Sequence, residues 1–138
     1  MKKWSFETRA IHASLENELG SVQTPIYQSA AFTQNTAEEI ENIFQSRQSG
    51  YLYTRISNPS ITSLEHSLNS LHSGRGCCAV SSGMAAIQMT LFSLASSGDH
   101  IVSSSSLFGG THYLFKELQQ SMNFKFSFSK DVNTESIS

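Results

Sequence analysis

The sequence predicts an α/β chain built on a parallel sheet, and three observations carry that prediction. Between positions 77 and 128, short apolar runs alternate with segments of helical period, in the order strand, helix, strand, helix, strand. Helix starts upstream are marked by Thr36 and by Asn58 ahead of Pro59. Phe124, Phe126 and Phe128 alternate with Lys125 and Ser127, which is the period of a strand. Strands joined in this way by helices form right-handed βαβ units with parallel strands. Parallel sheets have both faces covered and rarely stop at three strands, so this βαβαβ set reads as the first, incomplete part of a larger domain.

Each element follows from local chemistry. Residues 1–35 show no sustained period, and Gly20, Pro25 and the polar run Gln34-Asn35-Thr36 predict an extended arm that lies on something else, such as another subunit. Thr36-Ala37-Glu38-Glu39 reads as a capping box before a short helix with Ile40, Ile43 and Phe44 on one face. Asn58-Pro59 opens a second helix, in which Ile61, Leu64, Leu68 and Leu71 form a stripe predicted to be buried, and Gly74 ends it. Cys77-Cys78-Ala79-Val80 is read as a buried strand, Ser81-Ser82-Gly83 as a turn, and Met84–Ser96 as a helix with Ile87, Leu91 and Leu94 inward, closed by Gly98. His100-Ile101-Val102 is the next strand. Gly110–Met122 is a helix carrying Leu114, Phe115 and Leu118, and Asn123 ends it. Asn133–Ser138 reads as a cap and barely one turn. The expected division is 1–60, an arm with a short helix and a phosphate-clamp loop, and 61–138, the start of the sheet domain.

Composition narrows the function. Charged residues are 14% of the chain, and 9 Lys+Arg against 11 Asp+Glu give a net charge of −2. That argues against a nucleic-acid or membrane-surface partner, both of which need a basic patch. There is no apolar run of about 18 residues, and the opening MKKWSFETRA lacks the apolar region of a secretory signal. The expected location is therefore the cytoplasm. Cys77 and Cys78 are adjacent, and neighbours on a strand point to opposite faces, so they suit neither a disulfide nor a shared metal; reduced, packed thiols are expected. The five histidines form no metal-binding pattern with carboxylates, and there is no GxSxG elbow or paired-acid cluster.

Three stretches are suited to hold a ligand. In GYLYTRISNPS, an extended backbone would place Tyr51, Tyr53 and Arg55 on one side, where a phenol and a guanidinium make a phosphate clamp. The competing reading is an ordinary aromatic–arginine stack. In Val80-Ser81-Ser82-Gly83-Met84-Ala85, small residues open a helix whose first N–H groups can meet an anion. The alternative there is a tight turn needing glycine for packing. In Ser104–Thr111, Gly109-Gly110 frees the backbone and Phe108 either stacks on a planar ligand or belongs to the core.

In this order, these blocks resemble the Cys/Met-metabolism pyridoxal-phosphate (PLP) enzymes, a family that includes cystathionine γ-synthase, the cystathionine lyases, methionine γ-lyase and the O-acetylhomoserine sulfhydrylases. The resemblance runs from Phe6-Glu7-Thr8-Arg9-Ala10-Ile11-His12 through Pro25-Ile26-Tyr27-Gln28 to Asp131, and is sharpest at Gly50–Pro59, Ser81–Ile87 and Leu107–Thr111. It implies the N-terminal arm and first βαβαβ part of a fold-type I, aspartate aminotransferase-like large domain. It implies that Tyr53 and Arg55 hold the PLP phosphate of a neighbouring subunit, that Ser82, Gly83 and Met84 hold it in their own, and that Phe108 stacks on the ring. It also implies a homotetramer built as a dimer of dimers, acting on a small amino-acid substrate.

Ala37–Phe44 and Ser106–Thr111 look most like the sulfhydrylase branch, which implies γ-replacement giving homocysteine or methionine. Cystathionine γ-synthase, γ-lyase or methionine γ-lyase activity is the alternative within the family. Outside it, the alternative is a non-catalytic remnant that binds phosphate or a full-length paralogue. The family position at Phe108 is commonly Tyr; Phe keeps the stacking face without the hydroxyl, which is compatible with a sulfhydrylase. The family's Schiff-base lysine belongs to a segment beyond Ser138, and Lys2, Lys3, Lys116, Lys125 and Lys130 are not in its motif. The 138 residues alone are therefore expected to be inactive.

Overall fold

Local capping decides where the helices of this chain begin, as a computed structural model describing residues 4–13 and 20–130 makes plain. The chain forms two compact units, Met1–Ala79 and Val80–Ser138. The boundary expected after residue 60 falls two residues into the helix that starts at Pro59.

In the first unit, α1 spans Phe6–His12 and is capped by Ser5, whose Oγ accepts from the Thr8 amide at 3.3 Å. This helix replaces part of the extended arm expected from the sequence. Seven residues cannot hold a helix alone; α1 stands because it docks on α3. Arg9 Nη1 donates to the Ser70 carbonyl at 2.5 Å, near the C-terminal end of α3 where the helix dipole is negative. His66 Nδ1 meets the Ala13 carbonyl at 2.5 Å. The Glu7 carboxyl is held below its ordinary range by its own backbone N–H and then by the Ser5 hydroxyl. Its contribution to α1 is thus present above the ordinary carboxylate pKa and fades as pH falls through the lowered one.

Helix α2 (Ala37–Phe44) has the expected cap, with Thr36 Oγ1 accepting from Glu39 N at 3.1 Å. The Glu39 carboxylate reaches back one residue further than a capping box requires, to Asn35 N at 2.8 Å. Helix α3 (Pro59–His72) starts as expected, Asn58 Oδ1 accepting from Ser60 N at 2.9 Å. Its buried face is not the predicted one. Ile61, Leu64 and Leu68 are exposed, while Ser63 is buried and shares a 2.7 Å hydrogen bond with Thr24. The arm docks on this helix through polar groups, which apolar periodicity does not register. The helix ends at left-handed Ser73 (φ 51°), one residue before Gly74.

Residues 77–80 do not form the predicted strand. A strand needs a neighbour for its backbone donors, and here the Ala79 N–H goes instead to the Glu65 carboxylate at 2.7 Å. Cys77 and Cys78 are exposed free thiols rather than packed ones.

The second unit contains α4 (Gly83–Leu94), β1 (His100–Ser104), α5 (Gly109–Met122) and β2 (Lys125–Ser129). The strands pair in parallel, from His100 with Lys125 to Ser104 with Ser129. Two of the three predicted strands are therefore present, joined by the predicted helix. Phe115, Leu118 and Phe124 form the core, and the Phe115 ring stacks on Phe126 with centroids 4.5 Å apart. Helix α4 stops at Leu94 because Ala95 is already extended (ψ 151°), and Leu94 is exposed rather than inward. Asn123 ends α5 in the left-handed region as expected (φ 57°), and its carbonyl accepts from Gly98 N at 3.1 Å. The turn read at Asn133–Ser138 lies outside the described residues.

Two stability outcomes follow from this packing. Phe115→Ala should cost about 3–5 kcal/mol, read as a lowered urea midpoint at unchanged slope; a loss below about 1 kcal/mol would contradict the aromatic core. At Gly50, an added Cβ would lie 2.6 Å from Ile43 Cδ1 and 3.0 Å from Cγ1. Gly50→Ala should therefore cost about 1–3 kcal/mol, and Ile43→Val in the same protein should return part of it. Simple additivity of the two substitutions would refute the contact.

Candidate functional site

The first group of site residues lies on the loop after α2. Tyr53 forms an antiparallel bridge with Ala31, supported by Phe32 N to Leu52 O at 3.0 Å and Thr54 N to Ala30 O at 2.9 Å. The extended run stops there: Ile56 N and Ser57 N both turn back to the Tyr53 carbonyl, at 2.8 and 3.1 Å. Tyr51, Tyr53 and Arg55 consequently do not line one side. Tyr51 packs on Phe32 with centroids 5.7 Å apart, whereas Tyr53 and Arg55 are both exposed, with Arg55 Cζ 5.1 Å from the Tyr53 ring centre. An exposed stack of this kind is worth about 0.5–1 kcal/mol. A hydrogen bond to a charged group is worth about 1.5–3 kcal/mol, so an anion can draw both side chains to itself.

The second group opens α4. Ser82 is extended, and its Oγ accepts from Ala85 N at 3.1 Å, so the Ser81-Ser82-Gly83 turn is also a helix cap. The Ser82 carbonyl takes Ala86 N at 3.0 Å. The amides of Gly83 and Met84 precede any possible intrahelical acceptor, and the helix dipole adds about half a positive charge at the same point. The Ser82 hydroxyl keeps its proton to donate. Gly83 does not have a left-handed φ, and an added Cβ would find no atom within 4 Å. Neither backbone nor packing requires glycine here, which removes the tight-turn explanation. The space around Gly83 is open to an approaching group.

Phe108 is the residue before α5 and is 76% exposed, so it is not core. Its carbonyl receives Thr111 N at 2.9 Å and His112 N at 3.1 Å. Its ring leans back over Gly110, where a Cβ would come within 2.7 Å of Phe108 Cε1. One connection was not legible in the sequence. Thr111, which is buried, points its Oγ1 at Met84 Sδ, 3.8 Å away. That contact joins the first turns of α4 and α5, so Ser82-Gly83-Met84 and Phe108 belong to one edge, beyond the C-terminal end of β1, where open α/β sheets bind ligands. Only the small size of Thr111 within the Gly-Gly-Thr run hinted at it. Two free amides, a hydroxyl and a helix dipole suit a phosphate, and the bare face of Phe108 suits a planar ring.

Comparison with known proteins identifies the family and its cofactor. The family model of the Cys/Met metabolism PLP-dependent enzymes matches residues 7–138. The chain is 43% identical over 115 residues to an O-acetyl-L-homoserine sulfhydrylase of Corynebacterium glutamicum, covering 82% of this chain and 26% of that protein. It is 37% identical over 138 residues to an L-methionine gamma-lyase of Fusobacterium nucleatum, covering 99% of this chain and 35% of the relative. Among solved structures, it superposes with a TM-score of 0.86 at 29% identity on a Campylobacter jejuni protein assigned as an O-acetylhomoserine (thiol)-lyase, which carries N'-pyridoxyl-lysine-5'-monophosphate. The superposition covers 98% of this chain and 34% of that one. The chain thus spans about a quarter to a third of the length of the proteins it matches. The chain belongs to the PLP-dependent enzymes of cysteine and methionine metabolism.

Proposed function

We propose that the protein is an O-acetylhomoserine sulfhydrylase of the cytoplasm, releasing acetate from the γ-carbon of its substrate and placing sulfide or a thiol there. The products are homocysteine or, from methanethiol, methionine. The likeness to the Corynebacterium sulfhydrylase carries this reading. Phe108 supports it, because it offers an aromatic face and no hydroxyl to deliver a proton to a leaving group. A second reading, methionine γ-lyase, draws on the match that spans nearly the whole chain.

In either case PLP supplies the electron sink for bond breaking at the substrate α-carbon. The residues of this chain bind and orient it. The Gly83 and Met84 amides and the Ser82 hydroxyl hold the phosphate, and Phe108 lies against the ring. Tyr53 and Arg55, both exposed, reach the phosphate in a neighbouring subunit of a dimer of dimers.

Supplying the full-length protein with O-acetylhomoserine and sulfide should yield homocysteine faster than methionine yields methanethiol and 2-oxobutyrate; the reverse order favours the lyase. Gly83→Ala should leave the cofactor-free protein as stable as before, or up to about 1 kcal/mol more stable because alanine is the better helix former. The same change should weaken PLP binding at least several-fold, measured by absorbance titration. Unchanged PLP affinity would remove Gly83 from the phosphate site.

A further inference from the structure

We infer that Asn58 is the positioning residue of the Tyr53–Arg55 pair, acting through Thr54; this rests on the reading of that pair as a phosphate clamp. Asn58 is only 3% exposed, and its side-chain amide is engaged in three directions. Its Oδ1 accepts from Ser60 N at 2.9 Å and so caps α3. Its Nδ2 donates to the Tyr27 carbonyl of the arm at 3.0 Å and to Thr54 Oγ1 at 2.9 Å. One buried amide thus ties together a helix start, the arm and the clamp loop.

Thr54 is the residue between Tyr53 and Arg55, and it is fixed from the opposite side. Its N–H donates to Ala30 O at 2.9 Å, its hydroxyl donates to Ser29 O at 2.5 Å, and the remaining lone pair takes the Asn58 amide. Ser60 adds a parallel tie, with Tyr27 N donating to its Oγ at 2.8 Å and that Oγ donating to Pro25 O at 3.2 Å. Among the described residues, the Tyr53 and Arg55 side chains meet each other but show no such anchor of their own. Their direction is inherited from the backbone on either side of Thr54, and Asn58 sets that backbone.

The test separates capping from positioning. Asn58→Ser keeps an N-cap oxygen for α3 but has no amide donors for Tyr27 and Thr54. PLP affinity is titrated in the full-length protein after cofactor removal, for this variant, for Arg55→Ala and for the double variant. Asn58→Ser should weaken PLP binding about tenfold when Arg55 is present and less than about twofold in the Arg55→Ala background, because coupled sites are not additive. A full effect in both backgrounds would make Asn58 merely structural and overturn the inference, as would no effect in either. Should Arg55→Ala itself leave PLP affinity unchanged, the clamp reading fails, and the inference with it. Thr54→Val, at an exposed position, removes the same link without touching the helix cap and should show the same dependence on Arg55 even if Asn58→Ser does not fold.

Discussion

Helix α4 begins with two backbone amides, those of Gly83 and Met84, that no carbonyl of the helix can reach. The site is organised around that shortage. Ser82 spends its oxygen on Ala85 and its carbonyl on Ala86, so the two leading donors stay free at the positive end of the helix dipole. A Cβ at Gly83 would find no atom within 4 Å, so the space there is open. The parallel pair β1–β2 and the Phe115–Phe126 stack hold α5, and Thr111 links its first turn to that of α4 at Met84. A core of phenylalanines and one threonine–thioether contact therefore bring the start of α4 and the exposed ring of Phe108 to the same sheet edge.

The two units are stabilised by different means. The second has an apolar core of Phe115, Leu118 and Phe124. In the first, the only buried hydrophobic residue among those described is Ala13, and the arm is stitched down through Asn58, Ser60, Ser63 and Thr24. Each such hydrogen bond contributes about 0.5–1.5 kcal/mol net, so the arm depends on their number. Polar stitching leaves Ile40, Phe44, Ile61, Leu64 and Leu68 exposed. It also gives direction: a hydrogen-bonded amide fixes orientation as well as distance.

Much of this was legible in the sequence where the physics is local. The caps at Thr36 and Asn58, the stop at Asn123 and the alternation of Phe124, Phe126 and Phe128 are short-range signals, and the structure carries all of them. The misses share a cause, namely that each depends on a distant partner. Helix α1 needs Ser70 and His66 on α3. The α3 stripe reads as buried by period, yet the arm covers the serine face instead. Residues 77–80 have strand composition, but the Ala79 N–H goes to Glu65. Tyr51 leaves the predicted Tyr-Tyr-Arg row because Phe32 is beside it and the chain turns after Tyr53. Candidate residues at the start of α4 stand out in the sequence because glycine and serine at a helix start have a chemical meaning; the Thr111–Met84 link is hinted at only by the small size of Thr111.

A crystal structure of the protein with PLP bound tests the central claim most directly. The account predicts phosphate oxygens about 2.7–3.2 Å from the Gly83 and Met84 nitrogens, with the pyridine ring against Phe108. A phosphate bound away from the start of α4, with those two amides left to water, would contradict it.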